Sequence, residues 1–349
     1  MKYNVSRLSN FELLRLVAIF MIIIHHLVIK SAQTCGYTHP YDLNQDGLTG
    51  VFLNSLTASG VNLFLLISGW FGVRKIKTQI IRLILDCFIY SFITNILCIV
   101  FLGYPFSWNE LFYSCIFTHN WFVYAFIIFL LLSPIVERSL VQIDRKTLFH
   151  FVCLLTIVNV IIGFMGGMYR HNGYNAYNFI YLFVIGRYLH IISEEKKYIQ
   201  FSKYSIIGWI LCALPLTIGF IVLTHYKEWD ESFSQNYFGY NNPFIILSSI
   251  FLFMSFSTMK IKSKIVNLLA KSVFGIFLLH TTTIFIYYRT TIIESLYQKY
   301  GYISIFLSAI IIFIICCFIS LITEKIKAPL YNFINSNISV PLKWDELNN

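Results

Sequence analysis

The chain has 349 residues, of which 57% are hydrophobic and 12% charged, with a formal net charge of +10 and a mean hydropathy of +0.70. A soluble core of this length cannot bury so much apolar surface, so the composition excludes an ordinary soluble protein and indicates a membrane protein. The basic residues are scattered over many short loops, which argues against a nucleic-acid-binding face and fits contact with anionic lipid headgroups.

Apolar segments of about 17 to 24 residues recur along the chain and predict an all-α, polytopic bundle of about ten transmembrane helices, each long enough to cross about 30 Å of hydrocarbon. In chain order they are 11–30, 57–73, 81–103, 120–137, 148–166, 177–193, 204–224, 242–259, 272–290 and 303–323. Most of the 26 Lys and Arg residues fall on one side of these spans, so both termini are expected in the cytosol. No loop is long enough for an independent core, which predicts one integral-membrane domain over residues 1–349.

The first span, FELLRLVAIFMIIIHHLVIK (11–30), carries unusual polar residues for a membrane helix. Arg15 and His26 lie three helical turns plus about 20° apart, so both point the same way, and Glu12 lies near that stripe. Arg15 is shallow and His26 is roughly 22 Å from the cytosolic end. His25 points about 100° away. This face would suit a long substrate that threads in from the cytosol.

Structural interpretations of these residues stay open. Arg15 and Glu12 are explained equally well by an ion pair at the end of a helix. An ionisable residue as deep as His26 is a functional candidate by default, with an interhelical hydrogen bond as its alternative. For His25, on a different face, the structural interpretation is preferred.

Five stretches in order along the chain resemble the motifs of the integral-membrane acyltransferases called acyltransferase family 3. The first is Glu12-x-x-Arg15 followed by ten residues and His26. The others are GVNLFLLISGW (60–70), NWFVYAFIIFLLLSPIVE (120–137), SVFGIFLLH (272–280) and LITEKIKAPLYNFI (321–334). They lie in register with the predicted spans over nearly the whole chain.

The resemblance implies transfer of an acyl group, commonly acetyl, from cytosolic acyl-CoA to a hydroxyl of an extracytoplasmic or membrane-bound acceptor, often a saccharide. It therefore implies an O-acetyltransferase in the bacterial cytoplasmic (plasma) membrane. Acetyl-CoA is the expected co-substrate and no metal is expected. The expected partners are a cell-surface or lipid-linked saccharide and membrane lipids, without nucleic acid.

A basic rim after the second span fits the polyanionic end of such a donor, and it consists of Arg74, Lys75, Lys77 and Arg82. The family often has Arg-x-x-Arg here, whereas this chain has Gln79 where the first arginine would fall before Arg82. The alternative is that these residues only set the topology.

For the chemical step, His26 is the expected general base, because neutral imidazole accepts the proton of a sugar hydroxyl. An acyl-histidine intermediate on His26 is the open alternative. Arg15 would hold the donor or, through Glu12, shape the mouth of the tunnel. His280 and Ser68 would contact the thioester region, with interhelical packing as the alternative for both.

Other charged and aromatic residues are explained by ion pairs or by contact with the membrane boundary and do not require a functional site. Asp86 follows Arg82 by four residues, which predicts a local ion pair. Glu324 is expected to be a solvated or paired carboxylate at the cytosolic rim. Trp121 fits an aromatic belt at the outer boundary, where rings also stack on sugars.

Two rival functions remain from the sequence. Ten spans with few buried charges also suit a transporter or flippase of a glycan or lipid-linked saccharide, although neither an inverted repeat nor paired broken helices are evident. A non-catalytic scaffold is disfavoured by the shared face of Arg15 and His26.

Overall fold

The computed structural model describes residues 8–32, 45–109, 120–166, 172–226 and 236–337. All regular secondary structure in these ranges is helical, which confirms the predicted all-α class for this part of the chain. The helices are α1 (Ser9–Lys30), α2 (Gln45–Thr57), α3 (Gly60–Phe71), α4 (Ile76–Leu102), α5 (Trp121–Val141), α6 (Arg145–Val158), α7 (Ala176–Ile192), α8 (Lys196–Ser202), α9 (Ser205–Tyr226), α10 (Pro243–Ser257), α11 (Lys264–Leu269), α12 (Val273–Leu279), α13 (Thr283–Tyr288), α14 (Glu294–Tyr300) and α15 (Tyr302–Asn337). Short π-helical segments cover Asn159–Met165 and Arg289–Ile293, and a 3-10 turn covers Ala270–Ser272.

Seven helices in the described ranges are long and apolar enough to cross a membrane, and the number is eight if one bent pair counts as a single span. Helices α7 and α10 are apolar but shorter, with 17 and 15 residues. The predicted second span is longer than expected, because its helical segment begins at Gly47. The chain is therefore a multi-pass helical protein, while the count of ten spans and the cytosolic termini stay predictions.

The first two spanning segments form the centre of the bundle. In the most apolar stretch of α1, 72% of the residues are buried inside the protein, and in segment Gly47–Phe71 the share is 78%, against 17–39% in the other five spanning helices. A helix that is apolar all round is suited to such a central position. Polar side chains of α1 therefore face other helices or internal cavities more than lipid.

Two glycines bring α3 and α7 into backbone contact. A Cβ atom on Gly69 would lie 2.1 Å from the carbonyl oxygen of Phe183, and one on Gly186 would lie 2.3 Å from that of Leu66. Small residues allow such close approach between membrane helices. This contact fixes the orientation of α3, which contributes residues to both cavities described below.

The ninth predicted span, 272–290, is broken. Segments Lys264–Leu279 and Thr283–Tyr300 meet at an angle of 74°. The side chain of Thr282 donates to the carbonyl of Leu279 at 2.6 Å, and that of Thr281 donates to the carbonyl of Leu278 at 3.3 Å. Such local bonds compete with regular helix. His280 therefore lies at the break, where a straight span was expected.

A buried charge cluster joins α4 to α15, and it corrects the expected pair of Asp86 with Arg82. Asp86 instead accepts from Lys327, and it also accepts from the hydroxyl of Tyr331 at 2.5 Å. Glu324 pairs with Lys327 at 2.5 Å, as expected for a paired carboxylate. The guanidinium of Arg82 lies over the ring of Tyr331, 5.0 Å from its centroid. A lysine as deeply buried as Lys327 needs acidic partners. Local spacing in the sequence could not reveal Asp86 as one of them, because the two residues are far apart in the chain.

We predict that Lys327→Met destabilises the protein by about 3–5 kcal/mol, because it leaves the buried Asp86 carboxylate without its cation. The double variant Lys327→Met/Asp86→Asn is expected to regain a large part of that loss, since both charges are then removed. Thermal unfolding in detergent measures the difference. A double variant that is as unstable as the sum of the two single variants would refute the pairing.

Candidate functional site

One face of α1 borders two cavities. The first, of about 390 Å³, is lined by Glu12, Arg15 and Ile22 from this helix and is called the Arg15 cavity. The second, of about 770 Å³, is lined by Ile22 and His26 and is called the His26 cavity. The structure thus places Arg15 and His26 along one side of the helix, each in a cavity of its own.

The Arg15 cavity holds an ion pair and a second cation. Nη1 of Arg15 donates to Oε1 of Glu12 at 2.9 Å, while the side chain of Glu12 is only 7% exposed. The other Glu12 oxygen, Oε2, is buried and has no hydrogen-bond partner among the described residues. Lys271 and Gln79 also line this cavity. Ser68 lines it as well, but its hydroxyl donates to the carbonyl of Phe64 at 2.8 Å.

None of the four residues of the expected basic rim, including the exposed Lys77, lines this cavity. Arg74 and Lys75 are exposed on the turn between α3 and α4, next to lining residues but not among them. Arg82 packs on the charge cluster between α4 and α15 and does not line the cavity. Lys271, which the sequence did not single out, lines the cavity and takes the place of a rim cation. The one feature of the sequence that could have identified Lys271 as a site residue is its position directly before the SVFGIFLLH stretch.

The turn after α3 is anchored by Glu137 of α5. The backbone N–H of Val73 donates to Oε2 of Glu137 at 3.2 Å. Gly72 has a φ of +71°, and a Cβ atom there would lie 2.2 Å from Oε1 of Glu137. This position therefore favours glycine for its backbone conformation, and the carboxylate of Glu137 occupies the space that a side chain would need. The anchored turn carries Arg74 at the edge of the Arg15 cavity.

A pair of histidines lies at one wall of the His26 cavity, where His26 lines the space while the buried His280 contacts His26 and lines neither cavity. Nδ1 of His26 lies 3.1 Å from Nε2 of His280, and the two rings stack with centroids 5.1 Å apart. Nδ1 of His280 lies 2.9 Å from the carbonyl oxygen of Ile276. Because the helix breaks after Leu279, the imidazole of His280 reaches α1 while its other nitrogen stays bonded to its own helix.

These bonds assign the proton positions in the neutral pair. A carbonyl oxygen only accepts, so Nδ1 of His280 carries the proton and Nε2 of His280 accepts. His26 then donates from Nδ1, which leaves Nε2 of His26 without a proton. In many active sites the general base is held in position by a hydrogen bond to a third group, as His280 holds His26 here.

Aromatic rings form one wall of the His26 cavity. Trp121 and Tyr240 line it and stack with centroids 5.6 Å apart, and Tyr174 meets Trp121 edge-on at 4.5 Å. The backbone of Tyr240 is held on both sides, since its carbonyl accepts from Asn62 at 3.1 Å and its N–H donates to Asn172 at 2.7 Å. Asn62 of α3 thus positions this wall.

The rest of the lining is mainly polar on the α4 and α13 sides. Thr94 lines the cavity, is buried, and its hydroxyl has no hydrogen-bond partner among the described residues. Asn120 and Thr281 to Thr283 also line it. Within the described ranges, no three His, Cys, Asp or Glu side chains are grouped so as to hold a metal ion.

Arg289, which falls inside the predicted ninth span, lies at the C-terminal end of α1, where its backbone carbonyl accepts from the hydroxyl of Ser31 at 3.3 Å. It begins a π-helical segment, a local form that is frequent at functional sites. Its Nε atom is buried without a hydrogen-bond partner in the described part of the chain.

His25 faces another direction. It is buried and lies beside Asn54 of α2, and it is not among the residues lining either cavity. Its placement fits the structural interpretation preferred from the sequence.

Comparison with known proteins gives one match. A family model described as an acyltransferase domain matches residues 8–322. No curated protein and no solved structure matches the chain significantly. The matched range contains every residue that lines the two cavities.

Proposed function

Because the chain belongs to acyltransferase family 3, whose model matches residues 8–322, we propose that this membrane acyltransferase moves an acetyl group from cytosolic acetyl-CoA to a hydroxyl of a surface or lipid-linked saccharide. The observation that carries the proposal is the pair of cavities on one face of α1. One holds cations suited to the donor, and the other holds a histidine with a free nitrogen. The proposal includes the bacterial cytoplasmic membrane, with the Arg15 cavity on the cytosolic side.

The Arg15 cavity suits the donor. Acyl-CoA is polyanionic at its nucleotide end, and Arg15 and Lys271 supply positive charge there. Glu12 keeps the guanidinium of Arg15 turned along the cavity wall through their 2.9 Å bond. Beyond these charges the lining is mostly phenylalanine and aliphatic side chains, which suits the thin and less polar arm that ends in the thioester.

The His26 cavity suits the acceptor. A sugar ring has apolar faces that pack on aromatic rings, and the stacked Trp121 and Tyr240 offer such a surface. The sugar's hydroxyls also need hydrogen-bond partners, and the unpartnered hydroxyl of Thr94 is one such group. His26 opens into the same space, so a bound hydroxyl is brought to the free Nε2.

The chemical step follows from the proton positions. Nε2 of His26 takes the proton of the acceptor hydroxyl, and the acceptor oxygen forms a bond to the thioester carbon. The carbon–sulfur bond then breaks, and the CoA thiolate leaves with the proton returned from His26. His280 keeps accepting from Nδ1 of His26 throughout and so stabilises the imidazolium. The same Nε2 also suits an acyl-histidine relay, in which it attacks the thioester first.

Transport is less well supported. Transporters with broken helices usually carry them as a matched pair at the repeat interface. The described residues contain one bent pair, Lys264–Leu279 with Thr283–Tyr300. In this chain the bend is used to bring His280 to His26.

We predict that His26→Ala lowers acetyl transfer at least about 100-fold, because it removes the general base. His280→Ala should lower kcat less, and the remaining activity should show a changed pH profile because His26 loses its proton acceptor. The assay follows radiolabelled acetyl groups from acetyl-CoA into alkali-labile envelope material in membranes that contain the protein.

The matched control is His150→Ala, since His150 is exposed on α6 away from both cavities. Full transfer by a stably folded His26→Ala variant would exclude His26 as the base. An unaltered pH profile in His280→Ala would leave His280 with a packing role only.

We predict that Arg15→Ala and Lys271→Ala each raise the KM for acetyl-CoA about tenfold with little change in kcat, since each removes one charge-assisted phosphate contact. Arg145→Ala is the control, because Arg145 is exposed and pairs with Glu195. Initial rates at varied acetyl-CoA give both constants. A lower kcat at unchanged KM would place these cations elsewhere in the mechanism.

A further inference from the structure

Three apolar side chains separate the two cavities. Ile22, Val61 and Phe277 line both the Arg15 cavity and the His26 cavity. They are 4%, 3% and 9% exposed. Among the described residues these three side chains are the shared border of the two cavities, so a group that crosses this border passes them.

The close approach of α1 and α3 builds two sides of this constriction. A Cβ atom on Gly60 would lie 2.9 Å from both the carbonyl oxygen of Ala18 and Cγ1 of Ile22. The neighbouring Val61 is thereby held close to Ile22. Both side chains are β-branched and lie within helices, where one rotamer dominates, so these two sides are stiff.

Phe277 forms the third side. Its ring packs on Phe122 with centroids 4.9 Å apart, and it lies 5.9 Å from the ring of His280. It belongs to the last turn of α12, directly before the break in the helix. Of the three side chains, it is the one next to an irregular backbone segment and hence the one able to turn aside.

We propose that Ile22, Val61 and Phe277 form a width filter that selects the acyl group by its cross-section. This inference rests on the proposed function, because it assumes that the acyl group travels from the Arg15 cavity to His26. It holds for direct transfer and for an acyl-histidine relay alike, since the acyl group crosses the constriction in both. An unbranched chain enters end-on, whereas a branch next to the carbonyl presents two methyl groups to the gap at once.

The larger His26 cavity makes width the limiting dimension. Its volume is about 770 Å³, against about 390 Å³ for the Arg15 cavity. A chain that has crossed the gap therefore meets more space, not less. Selection by length is expected to be weak and selection by branching strong.

The test compares acetyl-CoA, n-butyryl-CoA and isobutyryl-CoA as radiolabelled donors, in membranes that contain the full-length protein. The two butyryl isomers have the same atoms and differ in width. In Phe277→Ala, isobutyryl transfer relative to acetyl transfer should rise at least about tenfold, and n-butyryl transfer should rise by much less. Phe277→Leu, which keeps more of the packing, should show a smaller shift in the same direction and decides the question if Phe277→Ala does not fold.

Phe220→Leu is the matched control, because Phe220 is fully buried in a separate cluster and lines neither cavity. Its donor profile should equal that of the wild type. Equal gains for both butyryl isomers, or an unchanged profile in folded Phe277 variants that still transfer acetyl, would overturn the filter and leave the proposed function standing. No transfer from any of the three donors by the wild type would instead refute the proposed function.

Discussion

The hydrogen bond between His26 and His280 is the interaction on which the account of this site depends. It exists because the ninth apolar segment is not straight, so that His280 leaves its helix at a 74° bend and meets α1. The carbonyl of Ile276 fixes the proton of His280, and this in turn fixes the proton of His26. A local irregularity in one helix thus determines which nitrogen of another helix is basic.

The rest of the bundle holds the His26–His280 pair in place beside two cavities of different character. The central position of α1 surrounds its polar stripe with protein, and the glycine contact between α3 and α7 holds the second wall in place. The buried cluster of Asp86 and Lys327 ties α4, which lines the His26 cavity, to the last helix. Cations and an ion pair lie at one end of the path, aromatic rings and hydroxyls at the other, and three apolar side chains between them. The two cavities therefore differ both in chemistry and in size.

Much of this organisation was predictable where it is local in sequence. Hydropathy averaged over a span-length window located the apolar helices, and the 3.6-residue period placed Arg15 and His26 on one face before any contact was known. The same average hid the break at His280, since the short polar run 280–283 is outweighed by the apolar residues on either side of it. The hydropathy average also missed the start of the second spanning segment at Gly47, because polar residues there lower the mean hydropathy. Partners distant in the chain were out of reach: the spacing rule paired Asp86 with Arg82, while its partner Lys327 lies 241 residues away. Lys271 was not singled out, because nothing local in the sequence shows that the fold turns it toward a cavity.

The proton positions of the two histidines test the central claim most directly. Nitrogen-15 NMR of histidine-labelled protein in lipid nanodiscs, assigned with single His→Gln variants, reports which ring nitrogen carries the proton. The account predicts a neutral pair in which both Nδ1 atoms are protonated and both Nε2 atoms are bare, with the His26 pattern lost in the His280 variant. A proton on Nε2 of His26, or a His26 signal indifferent to His280, would contradict it.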